Sequence, residues 1–224
     1  MFKILSTIII IILFPFNNNV KAQAQFEGVI TYSISFEDSG LPNEALAIFK
    51  NLEAITKIKS DKFRMELMMP MQSTVTIVDN KSKNSVTLVN IMKKKFAIKM
   101  NEADIIKDQA AYPKIVIKYT NELKMLAGYN CKKAEISLIS GKGKVMNVYY
   151  TEEIQTNNTK AAYIDLKGFP LEYSSYQDGI LMKFTVKSIS KTPVADSNFE
   201  IPEGYIYTTM EQFQKEAMKQ IGGQ

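Results

Sequence analysis

Phe26-Glu27-Gly28-Val29-Ile30-Thr31-Tyr32-Ser33-Ile34-Ser35-Phe36 alternates from end to end. Successive side chains of an extended chain point to opposite faces. Phe26, Gly28, Ile30, Tyr32, Ile34 and Phe36 therefore share one face, and Glu27, Val29, Thr31, Ser33 and Ser35 share the other. An apolar row backed by a mostly polar one is the pattern of a half-buried β-strand.

The rest of the chain repeats that pattern. Strands are expected at 54–59 and 63–69 around the turn Ser60-Asp61, and at 74–78 and 85–90 around the polar tip 79–84. Residues 94–100 alternate, with Phe96, Ile98 and Met100 on one side and Lys95 and Lys99 on the other. Residues 114–120 and 130–139 flank a bend at Ala127-Gly128, and 144–151 follows a glycine turn. Large residues on both faces of 144–151 place it centrally in a sheet. Residues 169–177 and 180–190 form a hairpin across Asp178-Gly179. A short helix is expected from Asn43, which is placed to cap it, through Phe49, with Leu46, Phe49 and Leu52 on its apolar side. Residues 101–111 are helix-like, and 209–221 carries Met210, Phe213, Ala217 and Ile221 at helical spacing before Gly222-Gly223. About ten strands with few helices, no repeat and no linker indicate an α+β, mainly β fold. The natural form is a strongly curved antiparallel sheet or half-open barrel, with short helices and a C-terminal helix over one face.

The N-terminus supplies an address. Lys3 precedes an apolar run from Ile4 to Phe16, and Ala22 and Ala24 form an A-x-A pattern before Gln25. This is the layout of a secretory signal peptide over residues 1–24, cleaved after Ala22 or Ala24, followed by a single domain at 25–224. The run is too short for a spanning helix, and no Cys follows the small residues to take a lipid. Export to the periplasm or the medium is expected, with membrane contact at most peripheral. Nucleic acid is not an expected partner there. The formal charge of +5 falls to +3 once Lys3 and Lys21 are removed. Lys93-Lys94-Lys95 reads as a solvated face.

The chain has no histidine and one cysteine. Histidine general bases, Ser-His-Asp and Cys-His arrangements and His-ligated zinc are excluded, as is an internal disulfide. Cys131 lies in an alternating strand and is expected to be a packed thiol. A reactive thiol, with its pKa lowered by Lys132 and Lys133, and intermolecular pairing are the alternatives. Met65, Met68, Met69 and Met71 invite a Cu(I) reading, because thioethers favour that ion. Strand parity sets Met68 opposite Met65 and Met69, which favours core packing. Glu152, Glu153, Asp165 and Glu172 are expected to be solvated charges, since neighbours in a strand cannot line one site.

Several segments carry a family resemblance. Gly128-Tyr129-Asn130-Cys131-Lys132-Lys133-Ala134, Tyr149-Tyr150-Thr151-Glu152-Glu153-Ile154, residues 166–173 and Phe199-Glu200-Ile201-Pro202-Glu203-Gly204-Tyr205 resemble, in order and spacing, a large uncharacterised family of exported Gram-negative envelope proteins. That family is related to the GLPGLI-type proteins, and Gly168-Phe169-Pro170-Leu171 stands where their naming motif falls. Ser60-Asp61-Lys62-Phe63-Arg64-Met65-Glu66 resembles the turn and strand of the lipoprotein carrier LolA. The resemblance implies a half-open barrel with an apolar cavity for acyl chains.

These readings converge on a non-catalytic periplasmic binding protein, without a cofactor, that holds a lipid or lipoprotein acyl chain in an apolar groove. The expected lining is Phe63, Met65, Leu67, Phe96, Ile98, Phe169, Tyr173 and Phe184. A Met-rich copper-handling protein and a structural or interaction protein of the envelope are the other readings.

Overall fold

The computed structural model describes residues 25–36, 43–70, 72–91, 94–111, 113–140, 144–157, 165–177 and 180–221. The expected signal peptide, the breaker at 38–42, Met71, Lys93, the turns at 141–143 and 178–179, and Gly222-Gly223 lie outside the described residues. Among the described residues twelve strands form one sheet: β1 (Gly28–Phe36), β2 (Glu53–Lys59), β3 (Lys62–Met68), β4 (Gln72–Asp79), β5 (Asn84–Ile91), β6 (Lys94–Met100), β7 (Ile115–Leu126), β8 (Tyr129–Leu138), β9 (Met146–Thr151), β10 (Phe169–Gln177), β11 (Ile180–Ser190) and β12 (Ile206–Thr208). The helices are α1 (Asn43–Ile48), α2 (Glu102–Ala111) and α3 (Met210–Ile221). In space the strands run β12-β6-β5-β4-β3-β2-β1-β11-β10-β9-β8-β7. Every pair is antiparallel except β12 with β6. β12 and β7 are the sheet's two edges, and the barrel is left half open.

The inner face grows outward from β1. Tyr32 faces Ala54 and Ile30 faces Thr56 on β2, and Ala54, Thr56 and Ile58 face Leu67, Met65 and Phe63 on β3. In the other direction Ile34 faces Phe184, Phe36 faces Met182, and Phe184 faces Tyr173 on β10. These residues join Ala134, Ile136 and Val148 of β8 and β9 in one buried cluster. One cluster fed by strands so far apart in the sheet requires the sheet to curl around it. Tyr32 sits at its centre, 2% exposed, and its hydroxyl donates to the Pro170 carbonyl at 2.9 Å.

The outer face carries a second, smaller cluster of Val75, Ile77, Leu88 and Ala97. Phe199, Ile201 and Tyr205, from the segment after β11, lie over it. That segment is tied down by polar contacts. Lys57 Nζ donates to Asn198 Oδ1 at 2.9 Å and Arg64 Nη1 to the Asn198 carbonyl at 2.9 Å. Lys59 pairs with Asp196 at 3.1 Å. Glu66 accepts from both Lys57 and Arg64 at 2.8 Å, which holds the two cations in position.

At one end of the half-barrel, residues that follow β9 bond back to the sheet. Gln155 accepts from the Phe26 amide at 2.7 Å, and the Asn157 carbonyl accepts from Asn80 Nδ2 at 2.9 Å. The opposite end carries α1. Two helices begin with reciprocal caps: Asn101 with Asp104 for α2, and Thr209 with Gln212 for α3. Thr209 is thus the cap of the last helix rather than its first residue.

The strands β7 and β12 also differ from the sequence reading. β7 runs six residues beyond its expected end at Thr120, because an irregularity between Tyr119 and Leu123 breaks the alternation without ending the pairing. β12 is not visible in the sequence, because three residues carry no periodic signal.

These contacts generate two predictions. Ala127 (φ 47°) and Gly128 (φ 84°) are both left-handed between the paired residues Leu126 and Tyr129, a two-residue type I′ turn. Alanine is strained there, so Ala127→Asn should raise stability by about 0.5–1 kcal/mol in chemical denaturation; an unchanged midpoint would contradict this geometry. Burial alone would raise the Glu66 pKa, but hydrogen bonds from Lys57 and Arg64 outweigh it and hold the carboxyl below its ordinary 4.5. A depressed carboxyl adds stability above its unfolded pKa and loses it as pH falls through the folded value. Glu66→Gln should therefore flatten the loss of stability below pH 4.5, measured as denaturation midpoint against pH.

Candidate functional site

Of the eight residues expected to line a groove, seven are buried and Met65 is half-buried. Phe63, Leu67, Phe169, Tyr173 and Phe184 belong to the main cluster, with Met65 half-buried against it. Tyr173 and Phe184 stack at 4.8 Å with their planes 4° apart, and Tyr32 meets both edge-on. Phe96 and Ile98 are buried on β6, where Phe96 packs against Phe213 of α3 at 5.3 Å. Register places seven of the eight on the inner face. Phe169 differs, because the pairing slips by one residue between Pro170 and Glu172 and turns it to the face of Glu172. Alternation read from sequence cannot show a bulge.

Accessible apolar surface lies instead at the end that carries α1. A groove of about 440 Å³ runs between the end of β1 and α1, walled by Ile34, Phe36, Leu46, Ala47 and Phe49, with Lys50 at its edge. The rings of Phe36 and Phe49 lie 5.3 Å apart. The chain after α1 is pinned to β1 by the Ile34 amide, which donates to the Leu52 carbonyl at 3.0 Å, and Leu52 is itself buried. Left-handed Asn51 (φ 61°) makes the turn between helix and anchor. Ile48 stands 63% exposed on the same helix.

A second depression opens within the sheet. The β9–β10 ladder ends at Tyr149 and Glu172. Beyond that point β10 continues with β11 as far as Gln177, while Met146 to Val148 pair with β8. The two strands part, and a cleft of about 230 Å³ forms in the fork, lined by Lys144, Val145, Met146, Ser174, Leu181 and Lys183. At its apex Glu172 is only 6% exposed and accepts from Lys124 at 2.8 Å, with Lys183 at 3.7 Å. Lys124 also lies 4.7 Å over the Tyr149 ring. The Tyr149 hydroxyl donates to Glu122, a bond that, more than burial, pushes its pKa up to about 12. Glu172 was expected to be a solvated charge. It is buried because β10 is an interior strand and the lysines of β7 and β11 fold over it. The visible hint was one acid set among Phe169, Leu171 and Tyr173.

The remaining candidates are separate. Cys131 is fully buried, and burial, followed by the charge of Glu153, pushes its thiol up to about 11. This is the expected packed thiol; Lys132 and Lys133, which the alternative of a reactive thiol invoked, pair with Glu152 and Glu122. Glu153 accepts from the Asn130 amide at 3.3 Å. Met65 and Met69 pack against the core while Met68 is 49% exposed, so these three do not converge. Among the described residues no three His, Cys, Asp or Glu side chains come together as a metal site, and no helix is long and apolar enough to cross a membrane. From the lysine run, Lys94 pairs with Glu216 and Lys95 lies over Tyr205.

No family model and no curated protein matches the chain. Solved structures that resemble it include an uncharacterized conserved protein from Thermus thermophilus, at 11% identity over 82% of this chain and 91% of that one, with a TM-score of 0.46. MucB matches at 12% identity over 81% of this chain and 58% of that one, with a TM-score of 0.36. LprF from Mycobacterium bovis matches at 12% identity over 80% and 90%, with a TM-score of 0.30. At these values the likeness is loose and says nothing of ligand or activity.

Removing Glu172 would leave the partly exposed Lys124 and Lys183 without the buried carboxylate they share. Glu172→Ala should cost about 2 kcal/mol, and Glu172→Gln about half that, in urea denaturation. A change below about 0.5 kcal/mol for both would show the ion pairs to be energetically idle.

Proposed function

We propose that this chain is a non-catalytic, exported binding protein that holds an acyl chain in the groove between β1 and α1. The observation that carries the reading is the groove itself. Its volume falls in the range of small-molecule sites, and five of its eight described lining residues are apolar. It also sits where the interior row of β1 reaches the open end of the half-barrel. Ile34 and Phe36 continue the row of Ile30 and Tyr32, so a bound chain would extend the packed core outward. An apolar ligand gains roughly 25 cal/mol per Å² of surface withdrawn from water, and the described walls of the groove set no buried charge against it.

Export rests on the layout of residues 1–24. A compartment outside the cytoplasm is one where a hydrophobic molecule needs a soluble holder to cross water. Chemistry on the ligand is not part of the proposal: the chain has no histidine to act as a general base. Among the described residues that wall the groove, none is a carboxylate.

The test is binding of a fluorescent fatty acid to the purified protein, with native mass spectrometry for co-purified lipid. Saturable binding is expected, weakened roughly tenfold by Phe49→Glu, which removes an aromatic wall and sets a charge in its place. Protein that is lipid-free and ignores the probe, or binding unaffected by Phe49→Glu, would overturn the proposal.

A further inference from the structure

We infer that β7 is a self-association edge, along which two copies of this chain pair antiparallel about a two-fold axis at Thr120. β7 is twelve residues long, and among the described residues no strand pairs with its far side. Such an edge presents a row of backbone donors and acceptors to any strand laid beside it. It also carries apolar side chains that its own chain leaves uncovered. Ile117 and Tyr119 face Ile136 and Ala134 of the buried cluster, which puts the odd-numbered residues of β7 on the inner face. Leu123 faces Lys132 on that same face, with Met125 two residues on, and the two are 68% and 61% exposed.

The occupant is a second copy because β7 complements itself. With Thr120 opposite the partner's Thr120, Ile117 lies opposite the partner's Leu123 and Ile115 opposite the partner's Met125. Directly opposed residues share a face and touch, so the exposed pair is covered by apolar side chains. On the outer face Lys118 lies opposite the partner's Glu122. Within one chain Lys118 pairs with Glu135 of β8 at 3.2 Å, and Glu122 pairs with Lys133 at 2.9 Å. The row across the joined sheets therefore runs Glu135, Lys118, the partner's Glu122, the partner's Lys133, alternating in sign at every step. Moving the axis one residue, to Asn121, would set Lys118 against the partner's Lys124, and like charges directly opposite are destabilising. The irregularity between Tyr119 and Leu123 falls at the axis, so both strands carry the same extra residues and the register holds on either side. The sheet's other edge, β12, is three residues long and could match only that much of β7, which disfavours a head-to-tail joint.

Sedimentation equilibrium of the purified protein tests the association, and cysteine cross-linking tests the register. A single strand pair buries less than a standard interface, so a dimer dissociation constant on the order of 10–100 μM is expected. Leu123→Asp should weaken it at least about tenfold, by setting a charge among apolar side chains. Leu123 is exposed in one copy, so this variant reports on association and leaves the fold intact. Thr120→Cys should cross-link to its own copy under mild oxidation, because the axis brings the two Cβ atoms within about 5.5 Å. Val116→Cys should not, because its copy lies eight residues away along the joined strands, about 26 Å. The native Cys131 is fully buried and adds no cross-link of its own. A chain that stays monomeric about tenfold above the expected range would overturn the inference. So would a dimer indifferent to Leu123→Asp, or Val116→Cys cross-linking as fast as Thr120→Cys.

Discussion

The structure depends on burying the inner row of β1, with Tyr32 at its centre. A tyrosine this deep must place both its ring and its hydroxyl. The ring meets Tyr173 and Phe184 edge-on, and the hydroxyl finds the Pro170 carbonyl on β10. Burial, reinforced by the proximity of Tyr173, raises its pKa well above 10, so it stays a neutral donor. A single side chain on β1 thereby reaches across β11 to β10. That reach is available only to a curled sheet, and an unpartnered hydroxyl at that depth would cost about 1–3 kcal/mol.

Curling has a consequence for where a ligand can sit. Inside, the side chains that a barrel reading nominates as a lining are in contact with one another: Tyr173 stacks on Phe184, and Phe63 and Leu67 belong to the same cluster. Accessible apolar surface survives where the inner row runs out, at Ile34 and Phe36 under α1. The fork arises from the opposite constraint. Twelve described strands share one sheet, but β9 and β10 are paired only as far as Tyr149 and Glu172, and the two strands part beyond that point. The split leaves room for lysines to converge on a buried acid. The groove and the fork therefore both lie where strand pairing or a strand's inner row ends.

Much of the fold was legible because alternation is a strong signal in strands with one buried face. β1, β10 and β11 were readable almost to the residue, and so was the shared face of Phe63, Met65 and Leu67. What could not be read depends on breaks in period. The slip at Pro170–Glu172 turned Phe169 over, the irregularity after Tyr119 hid half of β7, and β12 is too short to alternate. The candidate site was harder still. Leu46 and Phe49 were visible as one helix face, but nothing in sequence says that this face meets the end of β1. Lys144 and Lys183 look like any other lysine until the fork places them on one cleft.

The central proposal is that the ligand rests at the open end of the half-barrel, beside Phe36 and Phe49, and not among the inner row around Tyr32. The most direct measurement is paramagnetic broadening of amide and methyl resonances by a spin-labelled fatty acid bound to the protein. Broadening centred on Phe36, Leu46 and Phe49, with Tyr32, Phe63 and Ile136 spared, is the predicted result. Broadening centred on Tyr32 and Phe63 would contradict the account, because the ligand would then have displaced the packed core.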